Sequence, residues 1–133
     1  MSASQLYFQN AAARITVEPR GYVRLEWKAQ ATNETDVRAA YEHVLAAMTR
    51  HRLGHLLSMQ ELRPPIAQPI QNWILADWMP RLEALPLKVC IAVVQGPSPI
   101  GRLAVRSMTS RFSNNVHHHE FEHEPEALEW LLN

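Results

Sequence analysis

Residues 88–108 run Lys88-Val89-Cys90-Ile91-Ala92-Val93-Val94-Gln95-Gly96-Pro97-Ser98-Pro99-Ile100-Gly101-Arg102-Leu103-Ala104-Val105-Arg106-Ser107-Met108, and the reading of the fold turns on them. Lys88 to Val94 is short, rich in β-branched residues and uncharged after Lys88, which is the pattern of a buried strand. Gly96-Pro97-Ser98-Pro99 follows as a turn, ending in an N-cap serine with proline at the first helical position. The helix that starts there is expected to carry Ile100, Leu103, Ala104, Met108 and Phe112 inward, to hold Arg102, Arg106 and Arg111 outward or flanking, and to end at Asn114 or Asn115.

Downstream, Val116 to Phe121 is expected as a last strand. Glu124 to Leu132 follows as a short helix with Pro125 in its permitted first turn. Upstream, Ile70, Trp73, Ile74, Trp78 and Leu82 give a helix over about Pro69 to Ala84, which Pro80 should kink or tighten. His55 to Met59 is a short apolar strand, broken by Glu61-Leu62-Arg63-Pro64-Pro65, where a long loop begins. Asn33 or Thr35 offers an N-cap, and Val37, Tyr41, Val44, Leu45 and Met48 then follow at helical spacing to about Arg50 or His51, with a stop near Gly54.

The first quarter is β structure: Gln5 to Asn10, Arg14 to Glu18 and Tyr22 to Lys28, the last two joined by Pro19-Arg20-Gly21. Val23, Leu25 and Trp27 fall on one face and Tyr22, Arg24 and Glu26 on the other, so one face should be covered and the other partly wet. Leu6-Tyr7-Phe8-Gln9 resembles the end of a protease-cleavage tag, but Ser4 and Gln5 precede it and its alternation suits a strand. Three strands followed by alternating helix and strand predict an α/β fold: a mixed β-sheet, antiparallel at its start, with helices packed against it through right-handed crossovers.

The chain has 133 residues, 47% of them hydrophobic, with 13 Lys+Arg against 13 Asp+Glu. That suits one domain over 1–133, large enough to bury a core without disulfide or metal. A formal charge of zero disfavours nucleic acid as partner. The lone Cys90 sits in an apolar run and suits a reducing compartment, and no stretch is long and apolar enough to span a membrane. The expectation is a cytoplasmic protein.

Gly21-Tyr22-Val23-Arg24-Leu25-Glu26-Trp27, the Trp73-x-x-x-Asp77-Trp78-x-Pro80 pattern, and Phe121 followed by Glu126-Ala127-Leu128-Glu129-Trp130-Leu131 resemble the STAS/SEC14-type (SpoIIAA-like) domain of small bacterial proteins. The resemblance spans about residues 5 to 132 and is carried by packing residues. It implies a mixed sheet of four to six strands with helices against it. The better-understood members of that family, the anti-sigma-factor antagonists, are phosphorylation-controlled interaction modules with an Asp-Ser motif after a central strand. Here that stretch is Leu57-Ser58-Met59-Gln60-Glu61-Leu62-Arg63-Pro64-Pro65, without an Asp-Ser pair, so the phosphoswitch does not carry over.

Of the chemistry-bearing residues, Ser98 lies where open α/β sheets bind ligands, after the carboxyl end of a buried strand. A small anionic or lipid-like ligand would meet Gln60, Arg63 and Ser98 there. A carrier of such a ligand needs a cavity above about 300 Å³ between the sheet and the 61–73 loop. Trp73 and Trp78 lie about 140° apart around a helix, so one is expected in the core while the other, Trp73, is a candidate partner anchor. His117 and His119 share a strand face with Phe121 and are the candidate metal ligands, though the sequence supplies no third ligand. With His118, His123 and the interleaved glutamates they also make a surface whose charge changes near the histidine reference pKa of about 6.5. No Gly-x-Ser-x-Gly elbow, phosphate loop or zinc signature is present, and no cofactor is expected. The leading expectation is a non-enzymatic interaction domain that self-associates as a homodimer or binds a protein partner, the exposed N-terminal hairpin edge being the motive for a dimer. The alternative is a small-ligand or lipid carrier.

Overall fold

Alternation in the opening strands sets which way the sheet faces. The computed structural model describes residues 3–133. In it β1 (Gln5–Gln9), β2 (Ala13–Glu18) and β3 (Tyr22–Trp27) form an antiparallel meander. Gly21 closes the β2–β3 turn at φ 95°, a left-handed conformation that glycine adopts without a Cβ clash, and its N–H donates to the Glu18 carbonyl. Ala13 and Ile15 of β2 and Val23, Leu25 and Trp27 of β3 are all buried on the inner face. β1 is bulged between Leu6 and Phe8.

β4 (His55–Met59), β5 (Val89–Val94) and β6 (Val116–Phe121) then add in chain order, each parallel to its neighbour, giving a six-stranded mixed sheet ordered β1 to β6. The parallel steps need crossovers. α1 (Glu34–His51), the helical run α2 (Gln68–Trp73), a π turn (Ile74–Trp78) and α3 (Met79–Glu83), and α4 (Pro99–Thr109) supply them and contribute to the main core on the inner face. α5 (Glu124–Leu132) covers the opposite face, where Ala127 and Leu131 pack on Leu57, Met59, Ala92 and Val94. The α/β architecture read from the sequence is the one observed. Tyr22, assigned to the partly wet face, is buried because α5 lies over that face.

Asn33 caps α1, accepting from the Asp36 N–H at 3.1 Å. The helix runs to His51, as expected, and its stop is Arg52 rather than Gly54: the left-handed backbone of Arg52 (φ 52°) lets its N–H and that of Leu53 turn back to the carbonyls of the last turn. At Pro80 the helical run widens rather than tightens. Proline has no N–H and its ring crowds the carbonyl four residues back, so the Met79 N–H bonds the Ile74 carbonyl across a π turn just before it. α4 ends at Thr109, about five residues short of the expected asparagines, and leaves through tight turns ending at Phe112.

Its inner face also differs. Met108 is buried as expected, but it is joined by Val105 and Thr109, whereas Ile100 and Leu103 are 70% and 65% exposed.

Across the surface, Arg81 of α3 makes a bidentate ion pair with Glu42 of α1, and that guanidinium holds the Glu42 carboxyl below its usual range. A carboxyl pKa lowered by folding adds stability above its unfolded value and loses it as pH falls through the folded value. Both partners are exposed, so Arg81→Met is expected to cost at most about 1 kcal/mol at pH 7 and nothing near pH 2. Urea melts at the two pH values check this, and an equal cost at both would contradict it.

Candidate functional site

The inward positions of β4 are Leu56, Ser58 and, just past its end, Gln60, and the two polar ones are buried at 5% and 8% exposure. Buried polar groups need partners, and these have them. The Gln60 amide donates to Ser58 Oγ at 2.7 Å, while Gln60 Oε1 accepts from Arg63 Nη1 at 3.3 Å. The same Nη1 donates to the Tyr41 hydroxyl at 3.0 Å, and the guanidinium carbon sits 3.9 Å from the centre of the Trp27 ring. Cation–π stacking with two neutral hydrogen-bond partners fixes the plane of the guanidinium. No carboxylate lies within salt-bridge distance of Arg63 among the described residues.

This network opens on a cleft of about 180 Å³ at the carboxyl ends of β4 and β5. Gln60, Arg63 and Ser98 all line it, as do Ile66, Gly101 and Val105. Ser98 Oγ caps α4 by accepting from the Gly101 N–H at 3.2 Å. Gly96 brings the β5–α4 turn close against β4, since a Cβ there would lie 2.8 Å from the Gln60 carbonyl oxygen. A second hollow, of about 230 Å³, lies on the other side of the 63–66 segment against the start of α1. Each is smaller than a lipid carrier needs, because Arg63, Pro64 and Ile66 run between them.

Three of the four residues named from the sequence as ligand or partner contacts therefore meet in one place, and Trp73 does not. Trp73 is half-buried on α2, its ring edge-on to Tyr41 at 6.0 Å and capped by Arg38 at 5.2 Å, while Trp78 is the core tryptophan. Trp27, Tyr41 and Ser58 complete the network and were not named from the sequence as ligand contacts. The available signal was Ser58 and Gln60 on the apolar side of an alternating strand, a local rule broken next to a ligand-facing strand end.

His117 and His119 share the face with Phe121, as alternation requires. His119 packs against Phe121 and Trp130, at ring distances of 4.8 and 6.0 Å, and His117 is exposed. Among the described residues no three His, Cys, Asp or Glu side chains gather as a metal site. On the opposite face His118 packs edge-on to Phe112, and Glu120 accepts from Gln95 at 2.6 Å and Thr109 at 3.4 Å.

Above the cleft, α4 exposes Ile100 and Leu103 one turn apart. From Pro97 to Asn115 the chain holds Arg102, Arg106 and Arg111 and no acid. Two of these cations form ion pairs, Arg102 with Glu122 at 3.4 Å and Arg106 with Glu120 at 3.7 Å. No helix among the described residues is long and apolar enough to cross a membrane. Comparison with known protein families, with curated proteins and with solved structures finds no match.

Proposed function

We propose that the chain is a cytoplasmic, non-catalytic interaction domain, similar to the STAS/SEC14 (SpoIIAA-like) type without its phosphoswitch serine motif, and that α4 is its recognition element. The observation that carries this reading is the outer surface of α4: two large apolar side chains in water on a helix whose own charged residues are both arginines, Arg102 and Arg106, ion-paired with Glu122 and Glu120, and just beyond it a third, Arg111, without an acidic partner among the described residues. Exposed aliphatic groups at i, i+3 spacing in a positive field suit an acidic amphipathic segment of a partner protein, whose apolar anchors cover Ile100 and Leu103 while its carboxylates meet the arginines. The sheet edges offer less. β1 is short and bulged, and β6 carries His117, His118, His119 and Glu120 along an edge, both of which blunt edge pairing. Ser98 spends its oxygen on the α4 cap, which favours binding over nucleophilic chemistry.

Selection of a displayed helical peptide library on the full chain tests the proposal. Enriched peptides should carry Leu, Ile or Phe three or four residues apart with Asp or Glu beside them, and should bind more weakly as salt rises. The pair Ile100→Asp and Leu103→Asp should weaken that binding by about 30-fold or more, the loss expected when central apolar anchors are replaced. Binding that survives both changes would refute the assignment to α4. A homodimer in sedimentation that the same changes abolish would show a second copy on this face and refute the acidic-partner reading.

A further inference from the structure

We infer that the cleft beneath α4 is a binding site for a small oxyanion carrying a short apolar tail, such as a short-chain carboxylate or a phosphate monoester, with the free edge of Arg63 as its anchor. The inference is independent of the α4 partner. Of the guanidinium's nitrogens, Nη1 is taken by Tyr41 and Gln60. Nε and Nη2, the side-on pair that grips a carboxylate or phosphate through two parallel hydrogen bonds, have no partner among the described residues and are not sealed from solvent. The fork is also held in place beforehand. Stacking on Trp27 at 3.9 Å sets its plane, and the Ser58–Gln60 bond at 2.7 Å fixes the amide that helps set its rotation, so little side-chain entropy remains to be lost on binding.

The charge in the cleft is unbalanced in the same sense. Its lining holds Arg63 and Arg102 with Glu61, which is exposed; Arg102 is already engaged by Glu122 and the Gly96 carbonyl, and Arg63 has no acidic partner among the described residues. Ser98 accepts from Gly101, so its hydroxyl proton is free to be donated to the ligand. Ile66, Val93 and Val105 make the apolar part of the wall. At about 180 Å³ the cleft is below the size of drug-sized ligand pockets, which restricts the tail to a few carbons.

Sodium butyrate and inorganic phosphate are the probes, each titrated into the ¹⁵N-labelled full chain and followed by NMR against sodium chloride at matched ionic strength. A saturable shift of the Trp27 indole N–H and of the Gln60, Ser98 and Gly101 amides is expected, with a Kd of about millimolar for ligands this small. Saturation by butyrate alone identifies a carboxylate site and by phosphate alone a phosphate site; either supports the inference. Arg63→Gln should weaken binding at least 10-fold. Arg63→Lys should weaken it less, since the charge stays while the fork is lost. No saturable shift beyond that of chloride would overturn the inference. So would shifts confined to Ala31, Thr32 and Val37 of the second hollow, or unchanged affinity in a folded Arg63→Gln protein. If Arg63→Gln does not fold, the wild-type titration and Arg63→Lys decide.

Discussion

Replacing Trp78 by alanine is expected to destabilise the domain by about 3–5 kcal/mol, a large part of the roughly 5–15 kcal/mol that holds a domain folded. Trp78 is 2% exposed and sits in the π turn, where its ring meets Tyr41 edge-on at 4.9 Å. Its indole N–H donates to the Tyr41 backbone carbonyl at 2.8 Å, so the truncation removes a large buried ring and a hydrogen bond between two helices together. At this chain length the melting temperature should fall by about 10–20 °C. Trp78→Phe should cost less, about 2 kcal/mol, since it keeps an aromatic ring in the core and loses the indole N–H together with the smaller part of the ring volume. Trp73→Ala, at a half-buried position, should cost clearly less than Trp78→Ala. Urea denaturation followed by far-UV circular dichroism measures all three. A loss below about 1.5 kcal/mol for Trp78→Ala would mean that the π turn does not seat this ring in the core.

Tyr41 matters beyond its own packing because it joins this core to the cleft. Its carbonyl takes the Trp78 indole, its ring meets Trp27 at 5.3 Å, and its hydroxyl takes Arg63. None of that is visible locally, because Trp27, Tyr41 and Arg63 come from a strand, a helix and a loop that only the folded sheet brings together. What could be read was the part governed by nearest neighbours: the strands at His55–Met59 and Val116–Phe121, the Asn33 and Ser98 caps, and α5 with its proline in the first turn. Gln60, Arg63 and Ser98 were legible for a topological reason, since residues that follow parallel strands collect at one end of the sheet.

The orientation of α4 was not legible because its sequence supports two apolar stripes. One runs through Ile100, Leu103 and Ala104, the other through Gly101, Val105 and Thr109, and Met108 and Phe112 can serve either. Hydrophobicity alone favours the first. The folded chain uses the second, which sets Gly101 against the cleft and buries Thr109, whose hydroxyl is satisfied by the Arg106 carbonyl and Glu120. The exposed Ile100 and Leu103 are the cost of that choice. An unexpected apolar surface beside a preorganised arginine is what makes this end of the sheet, rather than its edges, the place to look for binding.

The glycines extend this contrast between local and tertiary demands to a graded prediction. Gly54 has the look of a helix stop, yet Arg52 does that work, and Gly54 is required for a different reason. A Cβ on Gly54 would lie 2.1 Å from the Lys88 carbonyl oxygen and 3.1 Å from its carbon, and these are backbone atoms that no side-chain rotation can move. The Gly54 carbonyl also accepts from the Cys90 N–H at 2.9 Å, where the parallel pairing of β4 with β5 begins. Gly54→Ala must therefore push β5 away from β4 at its first rung, and is expected to cost about 3 kcal/mol, the upper end of what overpacking does to a close-packed interior. Gly96→Ala meets the Gln60 carbonyl oxygen at 2.8 Å and should cost about 1–2 kcal/mol, displacing the cleft wall. Gly101→Ala meets nothing closer than 3.6 Å and lies within α4, so it should be neutral or stabilise by up to about 1 kcal/mol through helix propensity. Thermal and urea melts of the three variants should rank them in that order. Gly54→Ala as well tolerated as Gly101→Ala would show that the Gly54–Lys88 approach is not the close backbone contact on which the pairing of the two central parallel strands depends.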